Sequence, residues 1–96
     1  LYLRVIVSIQ HKGLKLLWTK NNGSKLPQDQ VAKIRQILTI LNAAEKVTDM
    51  NFPGSALHPL KGELVNYWAV TVKANWRIIF KFENGNAYLV DHLDYH

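Results

Sequence analysis

At 96 residues the chain is long enough for one domain and too short for two. Its apolar share of 48%, with three Trp, four Tyr and three Phe, excludes a disordered tail, and the absence of Cys excludes disulfides, thiolate metal sites and a cysteine nucleophile. Twelve Lys and Arg against seven Asp and Glu give a formal charge of +5, which favours a polyanionic partner, with nucleic acid as the first candidate.

The opening residues, LYLRVIVSIQ, are too short for a membrane span and lack a small-residue cleavage site. Apolar residues alternate with their neighbours over residues 3–9, which predicts a first strand. Because the only Met is Met50, we expect residues 1–4 to be an upstream extension of a single domain over residues 1–96. The lack of Cys fits a reducing cytoplasm, where we expect the protein to act.

Two helices are predicted next. Leu14, Leu17 and Trp18 fall at helical spacing, and residues 21–23 tolerate the left-handed conformation that ends a helix. Pro27 suits the first position of the second helix. The cations on this helix are too few and too mixed with Gln to favour membrane or groove binding over a solvated face. The apolar stripe predicted to pack on a sheet consists of Val31, Ile34, Ile37, Leu38 and Leu41.

Turn residues separate the second helix from the rest of the chain. Pro53 and Gly54 indicate a connecting loop over residues 48–56. A short extra strand fits at residues 56–58, before Pro59, which cannot donate a ladder hydrogen bond. No internal repeat, low-complexity tract or linker divides the sequence, so the loop is a connector within one domain.

Alternating apolar residues predict strands over residues 68–73 and 76–83, joined by a two-residue link. Asn84 and Gly85 form the strongest hairpin signal in the sequence and predict a third strand. The predicted class is therefore α+β. Alternation assigns Trp68, Val70, Val72, Trp76, Ile78, Phe80 and Phe82 to the core face, and it directs Lys73, Arg77 and Lys81 to the opposite face.

Several standard sites are excluded, because the sequence has no GxSxG, GxxxxGK[ST], GxGxxG or HExxH motif. Of the four His, only His92 and His96 have a ligand-like spacing, and they fall at a predicted strand end rather than on a helix. We therefore expect neither a metal nor another cofactor.

The remaining groups suit metal-free cleavage of RNA. Attack of a ribose 2′-OH on the adjacent phosphate needs a base, cations that stabilise the phosphorane, and an acid for the leaving oxygen. His can take both proton roles near neutral pH, and Arg offers a planar fork to phosphate oxygens. The candidate residues around the cationic face are His58, Lys61, Arg77, Tyr95 and His96.

Four segments resemble the HigB toxins of bacterial type II toxin-antitoxin systems, within the RelE and ParE superfamily. These segments are HKGLKLLW, HPLKG, YWAVTVKANWRIIF and DYH, and they occur in the family's order with similar spacing. The resemblance implies a RelE-like fold, with two N-terminal helices packed on a twisted antiparallel sheet in the order β-α-α-β-β-β and room for a short extra strand.

The resemblance also implies an activity and partners. The toxin would enter the A site of the ribosome, contact 16S rRNA and cut mRNA during translation, without a cofactor or a membrane partner. A HigA-like helix-turn-helix antitoxin would neutralise it, and a toxin-antitoxin heterotetramer would bind operator DNA.

Carried over residue by residue, Lys61 and Arg77 match the family's basic positions at the scissile phosphate. His58 opens the HPLKG motif, and Tyr95 and His96 match the family's terminal pair, which handles protons. Tyr95 can also stack on a codon base. The supporting residues are Asp94, which we expect to orient His96 or close the fold, and Asn75, which we expect to serve the turn, while Lys73 and Lys81 join Arg77 as RNA-binding residues.

Two alternatives remain open at this point. A ParE-like inhibitor of DNA gyrase would have no RNase activity, and the same superfamily fold serves both outcomes. The terminal Tyr-His pair argues against that alternative. The other alternative is an inactive RNA-binding module, which turnover of ribosome-bound message would exclude.

Overall fold

The computed structural model describes residues 6–94. The helices are α1, Lys12–Lys20, and α2, Val31–Ala43. The strands are β1, His58–Pro59; β2, Trp68–Lys73; β3, Trp76–Glu83; and β4, Asn86–Asp94, and they form one antiparallel sheet in that order. Short 3-10 turns lie at Gln28–Gln30, Val47–Met50 and Gly62–Leu64. Within residues 6–94 no helix combines the length and apolar character needed to cross a membrane.

The predicted first strand is seen only in part. Ile6 and Ile9 make isolated parallel bridges to Ala87 and Val90 of β4. These two bridges are not part of a continuous strand within residues 6–94. Residues 1–5, which include the start of that predicted strand and the predicted extension, lie outside the described residues. The α+β class is confirmed, whereas the order beginning with a full strand is not.

The start of α1 depends on a histidine. Nδ1 of His11 accepts hydrogen bonds from the backbone N–H groups of Gly13, at 3.0 Å, and Leu14, at 3.3 Å, which are two of the donors that a helix start leaves unpaired. A Cβ at position 13 would lie 3.0 Å from Cε1 of His11 and 3.1 Å from the carbonyl oxygen of Lys25, so a larger residue there would require its neighbours to shift by a few tenths of an ångström. The helix ends at Asn21, whose φ of 53° is the left-handed stop that the sequence predicts.

The second helix starts later than predicted. Residues 28–30 form a 3-10 turn after Pro27, and α-helical geometry begins at Val31. The predicted stripe is otherwise correct, because four of its five residues are buried and Val31 packs against the same core while staying half-buried. The main core joins the helices to one face of the sheet through Leu14, Leu17, Ile34, Ile37, Leu38, Leu41, Val70, Ile78, Phe80 and Val90.

The opposite face of the sheet, which we call the outer face, is less purely cationic than predicted. It carries a second, smaller apolar cluster built on Leu60, Ala69 and Ile79. The half-buried residues that pack against this cluster are Leu64, Tyr67 and Leu93. The outer face therefore has its own apolar floor, around which the charged side chains are arranged.

A β-bulge interrupts β2 near its end. Thr71 pairs with Arg77, but Lys73 pairs with Trp76, so one extra residue lies between Thr71 and Lys73. The two-residue turn that follows makes Lys73 and Trp76 direct partners, and directly paired residues share a face. The bulge therefore places Lys73 on the same face as Trp76 and not with Arg77.

A second bulge lies in β4. Lys81 pairs with Tyr88, but Ile79 pairs with Asp91, which leaves one residue too many on β4 between them. Leu89 in this stretch has a φ of 53°, a left-handed value that is strained for a side chain of its size. Beyond the bulge, His92 pairs with Ile78 on the helix-covered face and Leu93 pairs with Arg77 on the outer face.

Candidate functional site

Arg77 lies at the centre of the candidate site. It sits between Thr71 and Leu93 on the outer face and is half-buried. Its Nη1 donates to the carbonyl oxygens of Ala74, at 2.6 Å, and Trp76, at 3.2 Å. Because a guanidinium has five donors in a rigid fork, the turn fixes the orientation of the group while engaging only one of its terminal nitrogens.

The HPLKG segment presents its lysine from a fixed base. Leu60 is buried in the outer-face cluster, and its N–H donates to the carbonyl oxygen of Tyr67 at 2.9 Å. Lys61 follows directly and is exposed. Gly62 then adopts a φ of 67°, which favours glycine, and starts a 3-10 turn. The ammonium group therefore extends into solvent from a backbone held on both sides.

His58 is arranged as an acceptor of protons. Its Nδ1 lies 2.8 Å from the carbonyl oxygen of Ala56, so the neutral ring carries its hydrogen on Nδ1 and keeps the lone pair of Nε2. His58 pairs with Ala69, which in turn pairs with Ile79. Ile79 is two residues after Arg77 on β3, so the two side chains are neighbours on the outer face. Strand spacing separates the Cα atoms of His58 and Arg77 by roughly 12 Å, a gap that two long side chains and a bound phosphate can fill.

Lys81 extends the cationic face away from Arg77. It is half-buried and its ammonium lies 5.2 Å from the ring centroid of Tyr67, in cation-π contact. It lies four positions beyond Arg77 on β3, which corresponds to roughly 13 Å along the strand. Its predicted RNA contact would therefore lie at a different phosphate or base from that of Arg77.

The predicted placement of Lys73 with Arg77 and Lys81 is wrong. The bulge in β2 puts Lys73 opposite Trp76, and its ammonium forms an ion pair with Asp29 in the 3-10 turn before α2. The hydrogen bond from Lys73 is the main reason why the pKa of Asp29 is below its ordinary value. Lys73 thus joins the sheet to the helical layer at the surface.

The remaining predicted residues lie near the turn and the end of the chain. Asn75 is exposed in the β2-β3 turn, the position expected for it. Asp94 is the last residue of β4 and pairs with Trp76, so register puts it on the helix-covered side rather than beside Arg77. Tyr95 and His96 lie outside the described residues, and their proton-handling and stacking roles stay predictions.

A buried polar cluster behind Arg77 was not predicted from the sequence. His92 is only 5% exposed, its Nε2 lies 2.9 Å from Oε1 of Gln30, and its ring stacks on Trp76. Burial first, and the nearby His11 second, lower the pKa of His92 from 6.5 to about 4, so the ring is neutral at physiological pH. The sequence held one signal for this burial: His92 lies two residues after Val90 on the same strand, so both side chains point to the same face.

The outer face thus combines a fixed guanidinium and an imidazole with a free lone pair, and the exposed Lys61 follows directly after the outer-face residue Leu60. This set can bind a phosphodiester, stabilise charge that develops on it and accept a proton from a hydroxyl. Within residues 6–94, no three His, Asp or Glu side chains come together as metal ligands would.

Comparison with known families places the chain among the small RelE-like toxins. The family described as the RelE-like toxin of type II toxin-antitoxin system HigB matches residues 7–96, and the chain belongs to it. Endoribonuclease HigB of Proteus vulgaris is 45% identical over 92 residues, which cover 96% of this chain and 100% of that protein. The crystal structure of a YafQ mutant from E. coli has the same fold, with a TM-score of 0.57 and 20% identity, covering 94% of this chain and 91% of that one.

Proposed function

We propose that this HigB-family toxin is a ribosome-dependent endoribonuclease that cuts translated mRNA in the A site. The observation that carries the proposal is the fixed guanidinium of Arg77 on an outer face that also holds His58, with the exposed Lys61 directly after the outer-face residue Leu60, in a chain 45% identical to a protein named as an endoribonuclease. Residues 1–96 would act as one toxin domain.

The chemistry would be an in-line attack of the ribose 2′-OH on the neighbouring phosphate, with no metal. A base removes the 2′ proton, the 2′ oxygen bonds to phosphorus, and the bond to the 5′ oxygen breaks as an acid protonates that oxygen. Arg77 and Lys61 would stabilise the charge that develops on the phosphorane. The free Nε2 of His58 makes it a candidate base, and Tyr95 and His96 would supply the other proton transfer.

The partners follow from the family. A type II toxin is paired with an antitoxin, and here we propose a HigA-like helix-turn-helix protein that joins the toxin in a heterotetramer and binds operator DNA. The ribosome, through 16S rRNA, would present the mRNA in the bacterial cytoplasm. The formal charge of +5 supports association with such a polyanion.

The direct test is to map cuts on a message being translated in a purified system. Arg77→Ala should lower the cleavage rate about 100-fold or more, since one cationic contact to the transition state is lost. Arg35→Ala is the matched control, because Arg35 is exposed on α2 and hydrogen-bonded to Asn21. If the Arg77→Ala variant cut mRNA as fast as the parent, the assignment of Arg77 to the cleavage site would be wrong. Intact transcripts with stalled DNA breaks would instead indicate a gyrase inhibitor.

A further inference from the structure

The buried cluster on the helix-covered face is more than core packing, because it joins four parts of the chain through specific contacts. The rings of His92 and Trp76 are stacked, with centroids 4.6 Å apart and planes at 14°. The ring of His11 meets His92 edge-on, at 5.6 Å and 80°. His92 also donates its Nε2 hydrogen to the side-chain oxygen of Gln30, at 2.9 Å.

Each member holds the end of an element. His11 caps the start of α1, and Gln30 ends the 3-10 turn that leads into α2. Trp76 begins β3, and His92 lies near the end of β4, opposite Ile78. The cluster therefore fixes how the helical layer meets the start of β3, where the β2-β3 turn joins the sheet.

One backbone connection leads from this cluster to the outer face. The carbonyl oxygen of Trp76 accepts a hydrogen bond from Nη1 of Arg77, and the same nitrogen donates to Ala74 in the turn. Ala74 has a φ of 51°, an uncommon value for a residue other than glycine. The turn geometry that holds the guanidinium is thus strained and depends on the neighbouring structure to persist.

We infer that His92 is a positioning residue for RNA cleavage: its ring, stacked on the indole of Trp76, holds the carbonyl group and the turn that aim Arg77 at the scissile phosphate. The inference rests on the proposed function. Gln30, in the helical layer, accepts a hydrogen bond from the His92 ring, and the His11 ring packs edge-on against it. His92 itself touches no substrate, because it lies on the helix-covered face.

Two substitutions separate positioning from stability. His92→Gln keeps an N–H donor for Gln30 but loses the flat ring, so the protein should stay folded while kcat falls about 10- to 100-fold with KM changed less than about 3-fold. His92→Phe keeps a ring on Trp76 but leaves Gln30 without its partner, so it should melt at a lower temperature while kcat stays within about 3-fold of the parent.

A purely structural role predicts that kcat follows thermal stability in both variants. The positioning role predicts that the less stable His92→Phe variant is the more active one, and the reverse order would overturn the inference. These measurements use the full chain on translated message. An inactive parent would count against the proposed function, whereas an active parent with unchanged His92→Gln activity would count against this inference alone.

Whether His92 affects cleavage through Arg77 is tested by combining substitutions at the two residues. Adding His92→Gln to Arg77→Ala should lower the single-turnover rate by less than about 2-fold, because the group being positioned is already gone. If His92→Gln lowered the single-turnover rate by the same factor with and without Arg77→Ala, His92 would not act through Arg77. NMR of the Arg77 side chain gives a second readout, since Nε is buried and should exchange its hydrogen at least about 10-fold faster in His92→Gln than in the parent. Unchanged exchange would equally show that His92 does not act through Arg77.

Discussion

The two faces of β3 differ in what they contribute. The helix-covered face buries Ile78 and Phe80 in the main core, with a neutral His92 beside them. The outer face rests on a small cluster around Leu60 and Ile79 and presents cations at its rim. A single strand thus places its structural and its chemical side chains one residue apart. The buried face determines position, and the outer face carries the groups that meet the substrate.

The largest difference between the faces should appear in folding stability. Phe80→Ala removes a fully buried ring from the main core and should cost about 3–5 kcal/mol, whereas Leu64→Ala trims a half-buried residue of the outer cluster and should cost about 1 kcal/mol. Urea unfolding monitored by Trp fluorescence measures both values. Similar losses would mean that the outer cluster is a second core in its own right.

The helix-covered face should also make stability depend on pH. The pKa of His92 falls from 6.5 to about 4 on folding, so its contribution is complete above pH 6.5 and is lost as pH falls from 6.5 through 4. The loss should reach at most about 3 kcal/mol. The hydrogen bond from Lys73 lowers the pKa of Asp29, and backbone N–H groups lower the pKa of Asp49. The stability that these two carboxylates contribute is therefore lost only as pH falls below their ordinary pKa of 3.8.

Denaturant titrations at pH 7 and pH 4.5 check this dependence. His92→Phe is the control, since it has no group to titrate and should show a flatter profile in the same window. A profile as steep in His92→Phe as in the parent would show that another group is responsible.

On the outer face, His58 should matter for chemistry and little for folding. His58→Asn keeps an N–H near the carbonyl oxygen of Ala56 but removes the lone pair of Nε2, so cleavage should slow about 100-fold with almost no change in the melting temperature. Cut-site mapping on translated message gives the rate. A variant as fast as the parent would leave the base to be sought among Tyr95, His96 and other groups.

The smallest effect is expected for Lys73. Its ion pair with Asp29 joins two exposed side chains, with 60% and 57% of their surfaces accessible, and such pairs contribute little. Lys73→Ala should keep cleavage within about 2-fold of the parent and leave the urea midpoint unchanged, while Lys81→Ala serves as the comparison on the outer face. A 10-fold loss for Lys73→Ala would return this lysine to the RNA surface.

Periodicity was enough to predict the helices, the three long strands and the core parity, because these features depend on burial repeated over many residues. The face of Lys73 was mispredicted although the sequence held a warning. A two-residue turn makes Lys73 the partner of Trp76 and so places both on one face, whereas strict alternation assigns them to opposite faces. Both patterns can hold only if one residue is extra, as the bulge shows.

Other features depend on contacts that periodicity does not encode. The cap made by His11 and the bond between Gln30 and His92 join residues far apart in sequence through single hydrogen bonds. Of the candidate site, the outer-face positions of Arg77 and Lys81 followed from alternation, whereas the hydrogen bond that leaves Nε2 of His58 open did not.

The bulge at Leu89 gives the final strand one place where its length can change without moving the residues that follow. Tyr88 pairs with Lys81 and Asp91 pairs with Ile79, so the stretch between them holds one residue more on β4 than on β3. Deleting Leu89 would leave a regular ladder, in which His92 still lies opposite Ile78 and Leu93 still lies opposite Arg77. Deleting Asp91 would instead place His92 opposite Ile79 on the outer face and turn the later side chains over. The bulge therefore tolerates the loss of a residue that the regular ladder does not.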